Sequence, residues 1–275
     1  MPTTIQLSAW AVPAFMDESP VDHTWVTSYD NRTQNFADVA AVIAANQNYW
    51  FCWGDYHAKG GTPGNASGFL GSQAGDLGMS RCLAQSNADC SSSFAARGTI
   101  FSYGVDGVCH QLANQVLYST SVGGARPLTV AKARGYLISS AIYGTYGLQQ
   151  AAWRNKIAAC AAAAAGRRPK RAKAGAKMSA APSIPPDEFE EHVAKVLGPD
   201  RLSLATQLLN LRAQFHISAA MQAHVLRAPT ADELNDRNQR FLDDAAKILP
   251  PKDYEKIFGV KPGQKVKLVR SDMMK

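Results

Sequence analysis

DGVCHQLANQVLY (residues 106–118) places a glycine, a cysteine and a histidine where the chain passes from the strand-like TIFSYGV (residues 99–105) into a run with helical spacing of its apolar positions. Cys109 follows Asp106 by three residues and Gly107 by two, so a helix entered here carries the sulfur in its first turn. Unpaired N–H groups and the helix dipole at such a position favour a thiolate and offer donors to an oxyanion. The opposing reading is a small buried residue, since free cysteine is among the most buried residue types. Whether the surrounding domain is built around chemistry or around a core turns on this one side chain.

A nucleophilic thiol needs a base. His23 in PVDHTWVTSYD (residues 20–30) opens an alternating run and would be held rigidly on a strand. A third group normally orients such an imidazole, and His57 in WFCWGDYH (residues 50–57), with Asp55 beside it, fills that position after the next strand. His110 projects about 100° away from Cys109 on a helix and reads as structural or supporting. A metal site using Cys109 with His23, His57 or His110 is a further alternative.

A histidine on an early strand, a polar group after the next strand and then a cysteine at a helix N-terminus resembles the circularly permuted papain-like group of the NlpC/P60 superfamily, which includes the lecithin:retinol acyltransferase-like proteins. In that group histidine precedes cysteine, as His23 precedes Cys109 here. The resemblance reaches at most residues 1 to about 155, and VCHQLAN departs from the Asn-Cys-Glu-His-Phe-like pattern of the acyltransferase branch. It implies Cys109 as nucleophile, His23 as base, His57 as the third group, a thioester intermediate in hydrolysis or acyl transfer of an amide or ester, and no cofactor or metal. The substrate would be a peptide, a lipid or a small acyl molecule.

Five strand-like runs, TIQLSAWAV, HTWVTSYD, NYWFCW, GTIFSYGV and RGYLISSAIYG, mix with helical character at ADVAAVIAAN and VCHQLANQVLY, so the expected class is α+β rather than regular β-α-β alternation. HAKGGTPGNASGFLGSQAGDLG (residues 57–78) reads as a long glycine-rich connection, either a loop beside a site or plain surface. The expected organisation is a papain-like α+β domain with an antiparallel sheet over residues 1–157, a basic Ala/Lys/Arg/Pro-rich linker over 158–183, and a small all-α module over 184–275. Within the module, PPDEFEEHVAKVLG has an acidic first turn and a glycine stop; Leu204, Leu208, Leu211 and Phe215 share a face; Thr230 and Glu233 form a capping-box pattern; and KDYEKIFG makes a short last helix. The tail KVKLVRSDMMK reads as a single strand or as disordered.

The net charge of +7 is not spread over a surface. Residues 1–155 carry eight Lys/Arg against nine Asp/Glu, residues 156–183 seven against none, and residues 184–275 fourteen against thirteen. That argues against a nucleic-acid-binding face on either folded part, and leaves the basic segment as a tether or an electrostatic handle. The helical module could take a protein partner. With no run of about 18 apolar residues and no basic, apolar leader in MPTTIQLSAWAVPAF, the chain is expected in the cytoplasm, or exported by a route without an N-terminal signal peptide. Of the five cysteines, Cys82 and Cys90 bracket a polar loop and are candidates for a local bridge, and Cys52 reads as core. His192, His216 and His224 read as ordinary helix residues, and Tyr143 and Tyr146 as either cleft-lining or half-buried.

Overall fold

The computed structural model of the chain describes residues 4–15, 19–29, 68–84, 102–164, 185–222, 227–271 and 274. Among the described residues three antiparallel strands, β1 (Thr4–Phe15), β2 (Ser19–Tyr29) and β3 (Phe69–Asp76), form a sheet in the order β2-β1-β3. The α-helices among the described residues are α1 (Leu77–Ala84), α2 (Cys109–Leu117), α3 (Tyr136–Tyr143), α4 (Gln150–Ala164), α5 (Glu188–Leu197), α6 (Leu202–Gln222), α7 (Ala231–Ile248) and α8 (Pro251–Phe258). The class is therefore α+β. Among the described residues no helix is long and apolar enough to cross a membrane.

The pleat divides the sheet cleanly. Ala9 opposes Val26 and Ala11 opposes Thr24; Leu7, Ala9, Ala11 and Val26 make the apolar face on which Ala113, Val116 and Leu117 of α2 pack. Trp10 opposes Trp25 and Val12 opposes His23, which puts both tryptophans and the imidazole on the other face. β3 lies inside the stretch expected to be a glycine-rich connection. Its glycines serve close approach: a Cβ at Gly75 would sit 3.1 Å from Leu7 Cδ1 and 3.3 Å from the Ser119 carbonyl oxygen.

Two further expectations are corrected. RGYLISSAIYG is not a strand but α3, bounded by Gly135 and Gly144, both at φ 75°. Its apolar run is buried on nearly every side, and a short run of that kind has no periodicity with which to tell strand from helix. The linker also begins later than residue 158, because α4 continues through the alanines to Ala164 with Cys160 fully buried. Alanine is the best helix former and needs only one packed face to hold it.

Cys82 of α1 bonds Cys160 of α4, with an S–S distance of 2.11 Å, and Met79, Leu83, Tyr118, Trp153 and Ile157 pack around the bridge. The expected local partner, Cys90, lies outside the described residues, as do NYWFCW, ADVAAVIAAN, His57, Asp55, Cys52 and His224. The bridge joins residues 78 apart in the chain, which the packing of α1 on α4 brings together.

The C-terminal helices do not keep a core to themselves. One apolar cluster runs from Tyr103, Val108 and Leu112 through Ile138 and Ile142 of α3 into Phe189, Leu208, Phe241 and Phe258 of α5 to α8. Asp187 caps α5 by accepting from the N–H groups of Phe189 (3.0 Å) and Glu190 (3.2 Å). Thr230 and Glu233 exchange the two bonds of a capping box at α7, at 2.8 and 3.3 Å. The tail has no regular secondary structure over residues 264–270 and pairs with no strand among the described residues: Asn235 Oδ1 accepts from the N–H groups of Leu268 and Val269 at 2.9 Å, and its Nδ2 donates to the Val269 carbonyl at 2.8 Å. A single amide side chain thus does what a neighbouring strand would otherwise do.

Candidate functional site at the start of α2

The helix does begin at Cys109. Val108 stands before it in an extended conformation, and its N–H donates to Gln111 Oε1 at 3.1 Å. The approach is a tight turn rather than a strand over its described part: Gly104 N–H donates to the Gly107 carbonyl at 2.7 Å, and Asp106 Oδ2 accepts from Ser102 N–H (3.1 Å) and Gln149 Nε2 (2.6 Å). Only glycine fits position 104, where φ is +76° and a Cβ would meet Val269 Cγ1 at 2.6 Å. The C-terminal tail therefore closes directly over the turn that delivers Cys109.

Every residue of α2 is buried, including its polar ones. The amide groups of Asn114, Gln111 and Gln115 all reach backbone groups of residues 130–146. Asn114 accepts from Val130 N–H at 2.9 Å and donates to the Thr145 carbonyl at 3.0 Å; Gln111 donates to the Gly144 carbonyl at 3.0 Å; Gln115 donates to the Tyr146 carbonyl at 2.8 Å. Buried amides are tolerated because each finds a partner. The motif that reads as chemistry is, over most of its length, internal scaffolding.

Cys109 is 6% exposed, and its sulfur meets β2 on either side of His23: it lies 3.9 Å from the Asp22 carbonyl oxygen and against Thr24. Burial pushes the thiol up to about 11; contacts from Thr24 and the His110 N–H favour the thiolate without offsetting that loss of solvation. This is the reverse of the lowered value expected at a helix N-terminus, because the loss of solvation outweighs the helix. His23, 1% exposed, lies across the sheet from Thr24 with its ring stacked on Trp25, centroids 6.1 Å apart. The sulfur thus touches the residues flanking His23 rather than its imidazole.

His110 is the histidine that the fold does use here. Its Nε2 lies 2.9 Å from the Asp22 carbonyl and its Nδ1 2.7 Å from Ser139 Oγ. A carbonyl only accepts, so Nε2 carries the proton and Nδ1 accepts from the Ser139 hydroxyl. Burial lowers the imidazole to about 4, which keeps it neutral at ordinary pH. Serine and histidine are thereby set as in a nucleophile–base pair, but both are fully buried and meet no solvent. Asp22 is the hub of the arrangement: its carbonyl faces Cys109 and His110, while its carboxylate accepts from Arg134 N–H (2.8 Å) and Nε (2.9 Å). Sequence reading passed over Asp22, Thr24 and Ser139; the available signal was a pair of serines inside an apolar run, which marks a buried hydroxyl seeking a partner.

Tyr143 and Tyr146, half-buried or cleft-lining on sequence grounds, are 0% and 3% exposed. Tyr143 donates to the Gly104 carbonyl at 2.8 Å and so also braces the turn before α2. His192 and His216 make ordinary hydrogen bonds to the carbonyls of Lys256 and Ala141. Among the described residues no group of three or more His, Cys, Asp or Glu is arranged to hold a metal ion. No family model, curated protein or solved structure matches the chain.

Proposed function

We propose that this chain acts by binding rather than by covalent catalysis, with Cys109 as a structural thiol that fixes α2 against β2. The observation that carries the reading is the sealed sulfur: buried, raised to about 11 and in contact with strand backbone and Thr24. A thiol of that kind is almost wholly protonated at pH 7. The site-specific rate of iodoacetamide labelling against pH tests it. The expected result is a Cys109 that labels more slowly than a free model thiol at every pH up to about 9, and no faster in His23→Ala. Fast labelling well below pH 8, slowed by His23→Ala, would overturn it.

That overturning result would establish the second reading, a papain-like cysteine hydrolase or acyltransferase. Cys109 would attack an amide or ester carbon, His23 would take the thiol proton and return it to the leaving group, and His57 would orient the imidazole. Its support is the position of Cys109 as the first residue of a helix packed beside the strand that bears His23, in an antiparallel sheet. It requires His23 to leave Trp25 and a substrate path to open at the sulfur.

A further inference from the structure

Two arginines are buried among the described residues, Arg212 at 5% and Arg237 at 7% exposed, and the fold treats them oppositely. Arg212 donates to two carbonyls and two carboxylates at 2.9–3.1 Å. Arg237, on α7, makes no ion pair among the described residues. Its Nε and Nη2 share Asn238 Oδ1 at 3.4 and 3.3 Å, and Nη2 also reaches the Gly104 carbonyl at 3.4 Å and the Tyr143 hydroxyl at 3.5 Å. Hydrogen bonds from a charged donor run about 2.7–2.9 Å, so all four are long. Two of the oxygens already have closer partners, since Tyr143 donates to the Gly104 carbonyl at 2.8 Å and Asn238 Nδ2 donates to Tyr143 at 3.0 Å. The rings of Tyr143 and of Phe215 on α6 lie 5.9 and 5.5 Å from the guanidinium carbon, which gives it aromatic faces but no countercharge. Nη1 makes no hydrogen bond and is not sealed from solvent.

Acids stand close by in the chain and are spent elsewhere. Glu233 precedes Arg237 by four residues on the same helix, the favourable order for an ion pair, yet its oxygens go to the Thr230 N–H at 2.8 Å and to Arg227. Asp106, in the turn that Tyr143 braces, is held by Ser102 N–H and Gln149 Nε2. A buried charge is ordinarily paired, because its lost hydration has to be replaced. We propose that Arg237 is a binding site for a small carboxylate, which accepts from Nη1 across the end of the guanidinium, the edge that Asn238 leaves open. Charge selects the class: one guanidinium between two aromatic rings matches one negative charge, and a phosphate would bring a second that Arg237 does not match. The site goes beyond the reading of Cys109 and shares no side chain with it, so thiol labelling and carboxylate binding fail separately.

The test is the melting temperature of the full chain against acetate, with chloride holding the ionic strength constant, beside Arg237→Met and, as a control at an exposed arginine one turn further on, Arg240→Met. A ligand that binds only the folded chain raises the melting temperature in proportion to the logarithm of its saturation. The expected result is a rise of about 3 °C or more with half its effect at millimolar acetate, kept in Arg240→Met and absent in Arg237→Met. Phosphate at equal concentration should give a smaller rise, read as the difference from Arg237→Met because phosphate also stabilises folded chains generally. Nitrogen-15 spectra of the arginine guanidinium groups in the unchanged chain read the same event without any variant, with one resonance moving and reaching its limit at the same acetate concentration. A rise that persists in Arg237→Met, a set of guanidinium resonances indifferent to acetate, or a larger Arg237-dependent rise with phosphate would each overturn the proposal.

Discussion

Replacing Arg212 with methionine isolates the contact that fastens the C-terminal helices to α3. The guanidinium is buried and donates to the carbonyls of Ala141 (2.9 Å) and Ser140 (3.0 Å), to Asp187 Oδ2 (2.9 Å) and to Glu190 Oε1 (3.1 Å), with Phe189 beneath it at 5.2 Å. Methionine keeps the stem and its packing and removes only the charged head. Breaking a buried pair by removing one partner costs about 3–5 kcal/mol, but three circumstances reduce that here. Asp187 retains its capping bonds from Phe189 and Glu190, Glu190 is 56% exposed and contributes little, and both carbonyls keep another donor, Gly144 N–H on Ser140 and His216 Nε2 on Ala141. About 2–3 kcal/mol remains, from two charge-assisted carbonyl bonds and one half-shielded ion pair. Urea unfolding reads it, with the midpoint falling by about 1 M. The assay has a built-in spatial probe, because all five tryptophans, at positions 10, 25, 50, 53 and 153, precede the C-terminal helices. If one core spans both parts, tryptophan fluorescence and circular dichroism shift together. A change below about 0.5 kcal/mol, or a fluorescence transition that stays put while dichroism moves, would refute the reasoning.

Two further outcomes follow from buried chemistry. His110 and His216 are each lowered to about 4, so between that value and the unfolded value of about 6.5 the unfolded chain binds more protons and stability rises with pH. Their contribution is fully present above about pH 6.5 and lost as pH falls towards 4, at up to about 2.7 kcal/mol per pH unit for the two together; a urea midpoint that is flat from pH 7 to 5 would contradict it. Reducing the bridge between Cys82 and Cys160 releases a constraint across 78 residues, and the chain-entropy relation puts the cost at roughly 4 kcal/mol, a fall in melting temperature of about 10 °C. Scanning calorimetry with and without a phosphine reductant measures it, and coincident melts would show that the cysteines do not cross-link the native chain.

What could be read from residues alone was whatever local chemistry decides. The start of α2 after Gly107, the capping box of Thr230 and Glu233, the acidic first turn and Gly198 stop of α5 and the helix in KDYEKIFG each rest on a few adjacent side chains, and each is where the spacing puts it. α3 was misread because an apolar run buried on all sides has no period, and β3 because its glycines look like a loop until Leu7 and Ser119 are seen to press against Gly75. The state of Cys109 lay beyond any local rule: a helix N-terminus argues for a thiolate, burial argues against it, and only the tertiary position of Asp22 and Thr24 tells which prevails. The same holds for His110, whose tautomer is set by a carbonyl 88 positions away in the chain.

The closure of Val269 over Gly104 has a temporal side. The turn that leads into α2 is made more than 160 residues before the valine that covers it. At about 5–20 residues per second, synthesis leaves that turn, and the buried amides behind it, without their final cover for roughly ten to thirty seconds. Until residue 269 emerges, Tyr103, Leu234 and the first turn of α2 share an apolar surface that lacks this cover, so the turn is closed only once the 266–269 segment has been made.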